Sequence, residues 1–348
     1  MSTEALHDIL VVIPTLNEAR GIQSVIQRLF EDLPTQASVR MVVMDGGSTD
    51  GTVELVEELA ANEPRLQVRP NPKRIQSAAV NLAVRQFGDE AQVLVRCDAH
   101  AIYPSGFVRS LLESLQSTGA DAVVVPMDSI GDNCVQRAVA WVSDTPLGSG
   151  GSAHRGGRKS GFIDHGHHAA FRMTSFTRAG AYDESFSHNE DAELDCRQRA
   201  LGSRIYLDAD IRLGYHPRGT LSGLWRQYFG YGKGRSRTVR KHPGTIRVRQ
   251  FAVPAHLGLS VLALVVAPWF PYLLLWPAFY CTALIAVSVQ LAVKQRSSCG
   301  LLAGLAAGVM HTAWASGFWL GMLTVREPRW VSTSGANVPG GKPSFKQR

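Results

Sequence analysis

Acidic side chains are missing from a third of this sequence: residues 211–326 hold no aspartate or glutamate. The chain as a whole carries 36 Lys and Arg against 29 Asp and Glu, a net charge of +7. The excess is therefore concentrated. Arg226, Lys233, Arg235, Arg237, Arg240, Lys241, Arg247 and Arg249 crowd one part of the acid-free span. A basic block can serve nucleic acid. This one runs straight into an apolar tract, so it reads instead as the cytoplasmic flank of a membrane segment, with no nucleic-acid partner. Residues 251–293 lack charge of either sign. A spanning helix needs about 20 apolar residues, so the tract predicts two spans, with Pro268 and Pro271 at the turn. Lys294 and Arg296 follow. A second uncharged stretch, 297–325, predicts a third, weakened by Ser298, its glycines and His311. The alternative is a buried helical hairpin in a soluble domain.

Other absences narrow the chemistry. The five cysteines (Cys97, Cys134, Cys196, Cys281 and Cys299) form no CxxC pair. Scattered and odd in number, they suit reduced thiols and argue against a disulfide framework or a structural zinc site. The opening MSTEALHDILVVIP has no basic region ahead of a long apolar run, so no signal peptide is expected. Neither GxxxxGK[ST] nor an N-terminal GxGxxG between strand and helix occurs, which disfavours a P-loop ATPase and a dinucleotide dehydrogenase.

What is present is alternation. Apolar strand-like runs at 9–14, 39–45, 66–70, 93–98 and 120–127 interleave with segments of helical spacing at 21–33, 52–61, 77–87 and 105–115. Such alternation predicts parallel strands joined by right-handed helical crossovers. The uninterrupted apolar strands predict a sheet covered on both faces. Residues 145–166, rich in Gly, Ser and basic residues, read as a mobile loop. No internal repeat is evident. The expected division is a catalytic domain over 1–245, a membrane domain over 246–325 and a polar tail over 326–348.

Ligands of open parallel sheets bind beyond the carboxyl ends of the strands. Three predicted strands end in polar sequences: Pro14-Thr15-Leu16-Asn17-Glu18, Asp45 with Gly46-Gly47-Ser48-Thr49-Asp50, and Asp98-Ala99-His100. On an extended chain, Asp98 and His100 point to one side, and a carboxylate with a neutral imidazole can bind a divalent metal. The plain structural reading is a helix cap at Asp50 and acidic helix starts. Further on, SHNEDAELDCRQRALG places Glu190 and Asp191 at the start of a helix. Asp191 and Asp195 share a side of it. One of these carboxylates is a candidate general base for a hydroxyl proton. His165, His167 and His168 invite a zinc reading, but no fourth ligand is evident; one of them, taken as His168, is expected to face the donor or acceptor.

Together these segments resemble glycosyltransferase family 2. PTLNE at 14–18 is similar to the family's opening Pro-x-x-Asn-Glu. DGGSTDGT at 45–52 is similar to its Asp-Asp-Gly-Ser-x-Asp-Gly-Thr, with Gly46 in place of the second Asp. DAH at 98–100 stands at its Asp-x-Asp, again with a departure, and NED at 189–191 at its Glu-Asp. NPKRIQSAAVN, RCDAHAIYP, GSGG, NEDAELDCR, YHPRGTL and QYFGYGKGR resemble the succinoglycan-biosynthesis glucosyltransferases within it. The resemblance covers about 9–245.

The resemblance implies the α/β GT-A fold, a mostly parallel sheet, here followed by C-terminal transmembrane helices. It implies a nucleotide pocket of Pro14, Thr15, Glu18, Asp45 and Asp98, with Lys73 and Arg74 near the diphosphate. Mn²⁺ or Mg²⁺ would be held by Asp98, with His100 at the ligand position and His216 a distant candidate. Asp191, beside Glu190, would be the base. Gln227 and Tyr228 stand where processive members carry Gln-x-x-Arg-Trp. Arg and Trp are absent in that register, so addition of one sugar is expected. The implied activity is inverting transfer, of glucose by resemblance, from a UDP-sugar donor to an undecaprenyl-diphosphate-linked sugar, in exopolysaccharide synthesis. The expected location is the bacterial inner membrane, multi-pass, with the catalytic domain cytoplasmic. A third full span would send the tail outside; the basic Arg326 and Arg329 leave a re-entrant third segment as the alternative. A nucleotidyltransferase and a non-catalytic membrane scaffold are the competing classes.

Overall fold

The structure is a computed structural model that describes residues 8–31, 33, 37–149, 159–245 and 247–331. The N-terminal half follows the predicted alternation. The elements in order are β1 (Asp8–Thr15), α1 (Ile22–Phe30), β2 (Ser38–Asp45), α2 (Thr52–Asn62), β3 (Leu66–Pro70), α3 (Gln76–Phe87), β4 (Val93–Arg96), α4 (Phe107–Thr118) and β5 (Ala122–Val124). Next come β6 (Met127–Ser129), α5 (Cys134–Ser143), α6 (Pro146–Ser149), β7 (Gly161–Ile163), β8 (His168–Arg172), α7 (Met173–Arg178), α8 (Glu190–Ala200), β9 (Ile205–Leu207) and β10 (Leu213–Tyr215). The chain continues as α9 (Leu221–Lys241), α10 (Ala252–Val266), α11 (Leu275–Lys294) and α12 (Ala303–Thr324).

The main sheet has the order β3-β2-β1-β4-β8-β5-β9-β7. Strands β1 to β4 pair in parallel, while β8 runs antiparallel between β4 and β5. Ile9, Val11 and Ile13 of β1 enter one core with α1 and α4. Leu10 and Val12 enter the other, with α3 and α7. Period-two side chains on a sheet covered on both faces explain why the strands read as unbroken apolar runs.

Residues 120–127, expected as one strand, divide. Pro126, which has no N–H for a ladder, separates β5 from β6, and β6 pairs with β10 in a second sheet. Within the loop expected over 145–166, α6 and β7 are ordered elements, and residues 150–158 lie outside the described residues. So does the tail from 332 onward.

The cysteine expectation also changes. Cys134 of α5 is bonded to Cys299, just before α12, across 165 positions of sequence, while Cys97, Cys196 and Cys281 are free thiols. Sequence spacing carries no sign of that pairing, because only the docking of the C-terminal helices brings the two residues together. A third core joins Ala138, Val139 and Val142 of α5 and Leu224 of α9 to Leu291 of α11 and Ala303, Ala306, Ala307 and Met310 of α12. Two stretches, Pro271–Lys294 and Ser298–Thr324, are long and apolar enough to cross a membrane. The expected first span is shorter: α10 has 15 residues, about 22 Å of helix against a hydrocarbon core of about 30 Å.

Candidate active site

Strand order reverses between β1 and β4: β1 leads outward to β2, while β4 lies on its other side. The crevice beyond their carboxyl ends is where such sheets bind ligands. A cleft of about 2500 Å³ opens there. Pro14, Thr15 and Glu18 line it from the end of β1, and Arg74 and Gln76 from the start of α3. Arg96, Asp98 and His100 come from the end of β4, and Glu190 and Asp191 from the start of α8.

Its centre is built around one buried cation. The Arg96 side chain is 4% exposed and donates from Nη1 to Asp191 Oδ1 at 2.6 Å; Nη2 lies 3.5 Å from Asp98 Oδ1. Tyr182 Oη donates to the same Asp191 oxygen at 2.9 Å. Gln76 Nε2 donates to Asp98 Oδ1 at 2.6 Å. The His167 ring stands between the two acids, Nε2 at 3.5 Å from Asp98 Oδ2 and Nδ1 at 4.0 Å from Asp191 Oδ2. Both carboxylates thus have one oxygen anchored and the other turned toward His167. Burial works against the Asp98 charge, but the Arg96 guanidinium and then the His167 ring outweigh it and hold this carboxyl far below the usual range. Among the described residues no ion pair to Glu190 is seen, and the Arg96 charge only partly offsets its burial. Burial, and secondly the Asp191 charge, push its carboxyl up to about 7.

The strand-borne pairing expected of Asp98 and His100 is corrected. Strand β4 ends at Arg96, and residues 98–100 form a turn in which the Asp98 N–H donates to Tyr103 Oη at 2.6 Å. His100 Nδ1 donates to Glu18 Oε1 at 2.9 Å from a largely exposed side chain. That bond, more than any other influence, raises its pKa. His216 does not line the cleft; its Nδ1 lies 3.1 Å from Asp132 Oδ2. Lys73 is likewise outside, paired with Glu184 at 2.5 Å, whereas its neighbour Arg74 lines the cleft. Asp45 is buried and engaged by its own turn. Oδ2 accepts from the N–H groups of Gly47 and Ser48 at 2.7 and 2.9 Å, and Oδ1 from Ser48 Oγ at 2.5 Å. It shapes the β2 loop and does not line the cleft. Gln227 and Tyr228 line the cleft from α9, with Gln227 Nε2 donating to Tyr231 Oη at 3.0 Å. The His168 side chain lies outside what is described; among its neighbours, His167 holds the central place, and His165 donates to buried Asp195 at 2.6 Å.

Arg96, Gln76 and Tyr182 were not singled out from sequence. Arg96 left a signal all the same: a charged residue in an otherwise apolar, buried strand requires buried acids as partners.

The donor set suits a hard or borderline divalent cation. Asp98 stays ionised, and its Oδ2 lies 3.5 Å from His167 Nε2, somewhat wider than the about 3 Å between neighbouring ligands with bonds near 2.1 Å. Among the described residues no three His, Cys, Asp or Glu side chains gather into a closed cage. His167, not named as a ligand from the sequence, is better placed for this than His216.

The family profile described as glycosyl transferase family 2 matches residues 10–179. The chain is 44% identical over 320 residues to the succinoglycan biosynthesis protein ExoA of Rhizobium meliloti, covering 91% of this chain and 96% of that one. In fold it is similar to the mannosyltransferase PcManGT from Pyrobaculum calidifontis in complex with GDP-Man and Mn²⁺, with a TM-score of 0.53, 21% identity, and coverage of 87% and 86% of the two chains. It is also similar to GalNAc-T7 with UDP, GalNAc and Mn²⁺, with a TM-score of 0.54, 15% identity, and coverage of 73% and 51%.

Proposed function

The chain belongs to glycosyl transferase family 2, a glycosyltransferase with the GT-A fold, and from that premise we propose that it moves one sugar, with inversion, from a UDP-sugar to a lipid-linked oligosaccharide in exopolysaccharide assembly. The observation that carries this reading is the pair of carboxylates, Asp98 and Asp191, held in one cleft by Arg96 and faced by His167. The donor nucleotide lies over the ends of β1 and β4, against Thr15, Glu18 and Arg74. Asp98, with His167 or His100, would hold Mn²⁺ or Mg²⁺, which when bound supplies charge neutralisation for the leaving diphosphate. Asp191 Oδ2 accepts the acceptor hydroxyl's proton as that oxygen attacks the anomeric carbon. Arg96 and Tyr182 fix the opposite oxygen, so the carboxylate cannot rotate away. The sugar is a hexose, glucose by resemblance.

The acceptor assignment rests on where the cleft leads. Beyond Asp191 its wall continues through Gln227, Tyr228 and Tyr231 of α9 to Val253 of α10 and to Met310, His311 and Trp314 of α12. An acceptor with an apolar carrier, such as undecaprenyl diphosphate, matches a cleft that is polar at one end and reaches apolar helices at the other. The relative named for succinoglycan biosynthesis supports the exopolysaccharide setting. We place the protein at the bacterial inner membrane, cleft toward the cytoplasm.

The test is UDP release by detergent-solubilised protein, with a panel of UDP-sugars and bacterial lipid extract, with and without Mn²⁺. Asp191→Asn is expected to lose about 10²–10⁴-fold in turnover, the usual share of a general base, and to keep UDP binding. Near-normal turnover removes Asp191 from that role. Asp98→Ala is expected to lose metal-dependent UDP binding; an unchanged titration rejects Asp98 as the ligand. Release of diphosphate in place of UDP identifies a nucleotidyltransferase. Folded protein that releases nothing with any donor supports the scaffold reading.

A further inference from the structure

Helices α11 and α12 have the length and apolarity of membrane spans, but α12 is fastened to the catalytic body at several points. The C-terminal half of α12 runs alongside α9. A Cβ at Gly232 would sit 1.9 Å from Trp314 O, one at Gly317 2.0 Å from Phe229 O, and one at Gly321 2.2 Å from Ser236 Oγ. Backbones this close leave no room for lipid between the helices.

Helix α12 is also tied to the catalytic body at three levels. Before its start, Cys299 is bonded to Cys134 of α5. At its middle, the His311 ring bonds Leu147 O at 2.8 Å. Past its end, Glu327 accepts from Arg237 at 2.6 Å, and Arg237 also donates to Ser185 O at 2.6 Å. Trp330 N–H then donates to Lys241 O at 2.9 Å. Helix α11 runs back along α12: Gly304 N–H donates to Ser288 Oγ at 2.8 Å, and Tyr280 Oη is 2.8 Å from His311 Nδ1. Helices α11 and α12 therefore run antiparallel, side by side.

Were α12 to cross a bilayer, α9 would go with it, carrying Arg226, Lys233, Arg235, Arg237, Arg240 and Lys241 into hydrocarbon, together with the sheet behind it. The face turned away from the body is nevertheless broadly apolar. Leu262, Leu264 and Val265 of α10, Leu275, Phe279, Ile285 and Val293 of α11, and Leu323 of α12 are each more than half exposed. Exposed Lys294 and Arg296 border this face, and residues 211–326 contain no acid to oppose them. That charge pattern fits anionic lipid headgroups better than a second copy of the same basic surface.

We infer that α10, α11 and α12 form an apolar plate that beds flat in one leaflet of an anionic bilayer, no helix crossing, with both ends of α12 on the catalytic side. The inference rests on membrane attachment alone and is independent of the donor, acceptor and base assignments.

The test is depth measurement on α11. Leu275 and Val293 share its outer side, about five turns and about 27 Å apart along the axis. Each is replaced by cysteine in full-length Cys281→Ser protein and given a fluorescent probe. The protein is reconstituted in phosphatidylethanolamine–phosphatidylglycerol vesicles carrying quenchers at graded acyl depths. The plate predicts equal depths within one leaflet at both positions, and the same at Leu323→Cys on α12. A progression from one headgroup layer through the centre to the other overturns it and establishes spans. Probes that stay in water, with protein that leaves the vesicles in alkaline carbonate and runs as a dimer, also overturn it, by showing that a second copy covers the face. UDP release by each labelled variant is scored separately, so a failed transferase assignment and a failed topology remain distinct.

Discussion

Glu190 precedes the proposed base by one position, and burial opposes its charge. Its folded pKa, about 7, stands above the ordinary value of 4.5. Between those values the folded state holds a proton that the unfolded state has released, so stability falls as pH rises through the window and stays lower above it. Glu190→Gln removes that loss. The variant is expected to match the parent near pH 4 and to exceed it at pH 8, by on the order of 3 kcal/mol. Thermal melts across that range check it, and an equal decline in both proteins assigns the pH dependence to another group. At this scale the sequence was informative about acids: a carboxylate closing an apolar strand and another opening a helix, Asp98 and Asp191, both lie in the cleft. It was less informative about their cation. Arg96 reads as an oddity in a strand until the fold brings α8, far along the chain, beside β4. His100 and His167 show the same limit. His100 is near Asp98 in sequence but bonds Glu18, while His167 reaches Asp98 because β8 runs antiparallel beside β4.

Between elements, the α9–α12 contact depends on residues with no side chain. Gly317 is a helical glycine whose absent Cβ lets Phe229 O approach. Gly317→Leu must push the helices apart, and overpacking of this kind costs about 1–3 kcal/mol, sometimes more. A lower melting temperature in detergent is expected, with nucleotide affinity at the far end of the cleft preserved. Gly258→Ala is the control, since a Cβ there meets open space. A Gly317→Leu melt no lower than that of Gly258→Ala shows the contact to be dispensable. The elements themselves were largely legible, because apolar periodicity reports burial directly. The break at Pro126 was missed: 120–127 was expected as one strand, although a proline inside an apolar run argues against a continuous ladder.

For the whole molecule, the division expected at residue 245 meets a shared core. Removing residues 246–348 strips Ala303, Ala306, Ala307 and Met310 from α5 and α9 and exposes Val139, Val142 and Leu224. The truncated protein is expected to aggregate without binding UDP; a soluble, UDP-binding fragment would instead establish an independent catalytic domain. By itself the sequence determined the alternating architecture, the strand-end acids, the family and the apolarity of the C-terminal third. Those follow from local pattern, where each residue's burial is set by its own neighbours in the chain. Only the tertiary structure decided that Arg96 binds Asp98 and Asp191 together, that His167 stands between them, that Cys134 meets Cys299, and that the apolar helices lie against α9. These pairings join residues far apart in sequence, and chain closure and side-by-side packing leave no periodic trace at either partner.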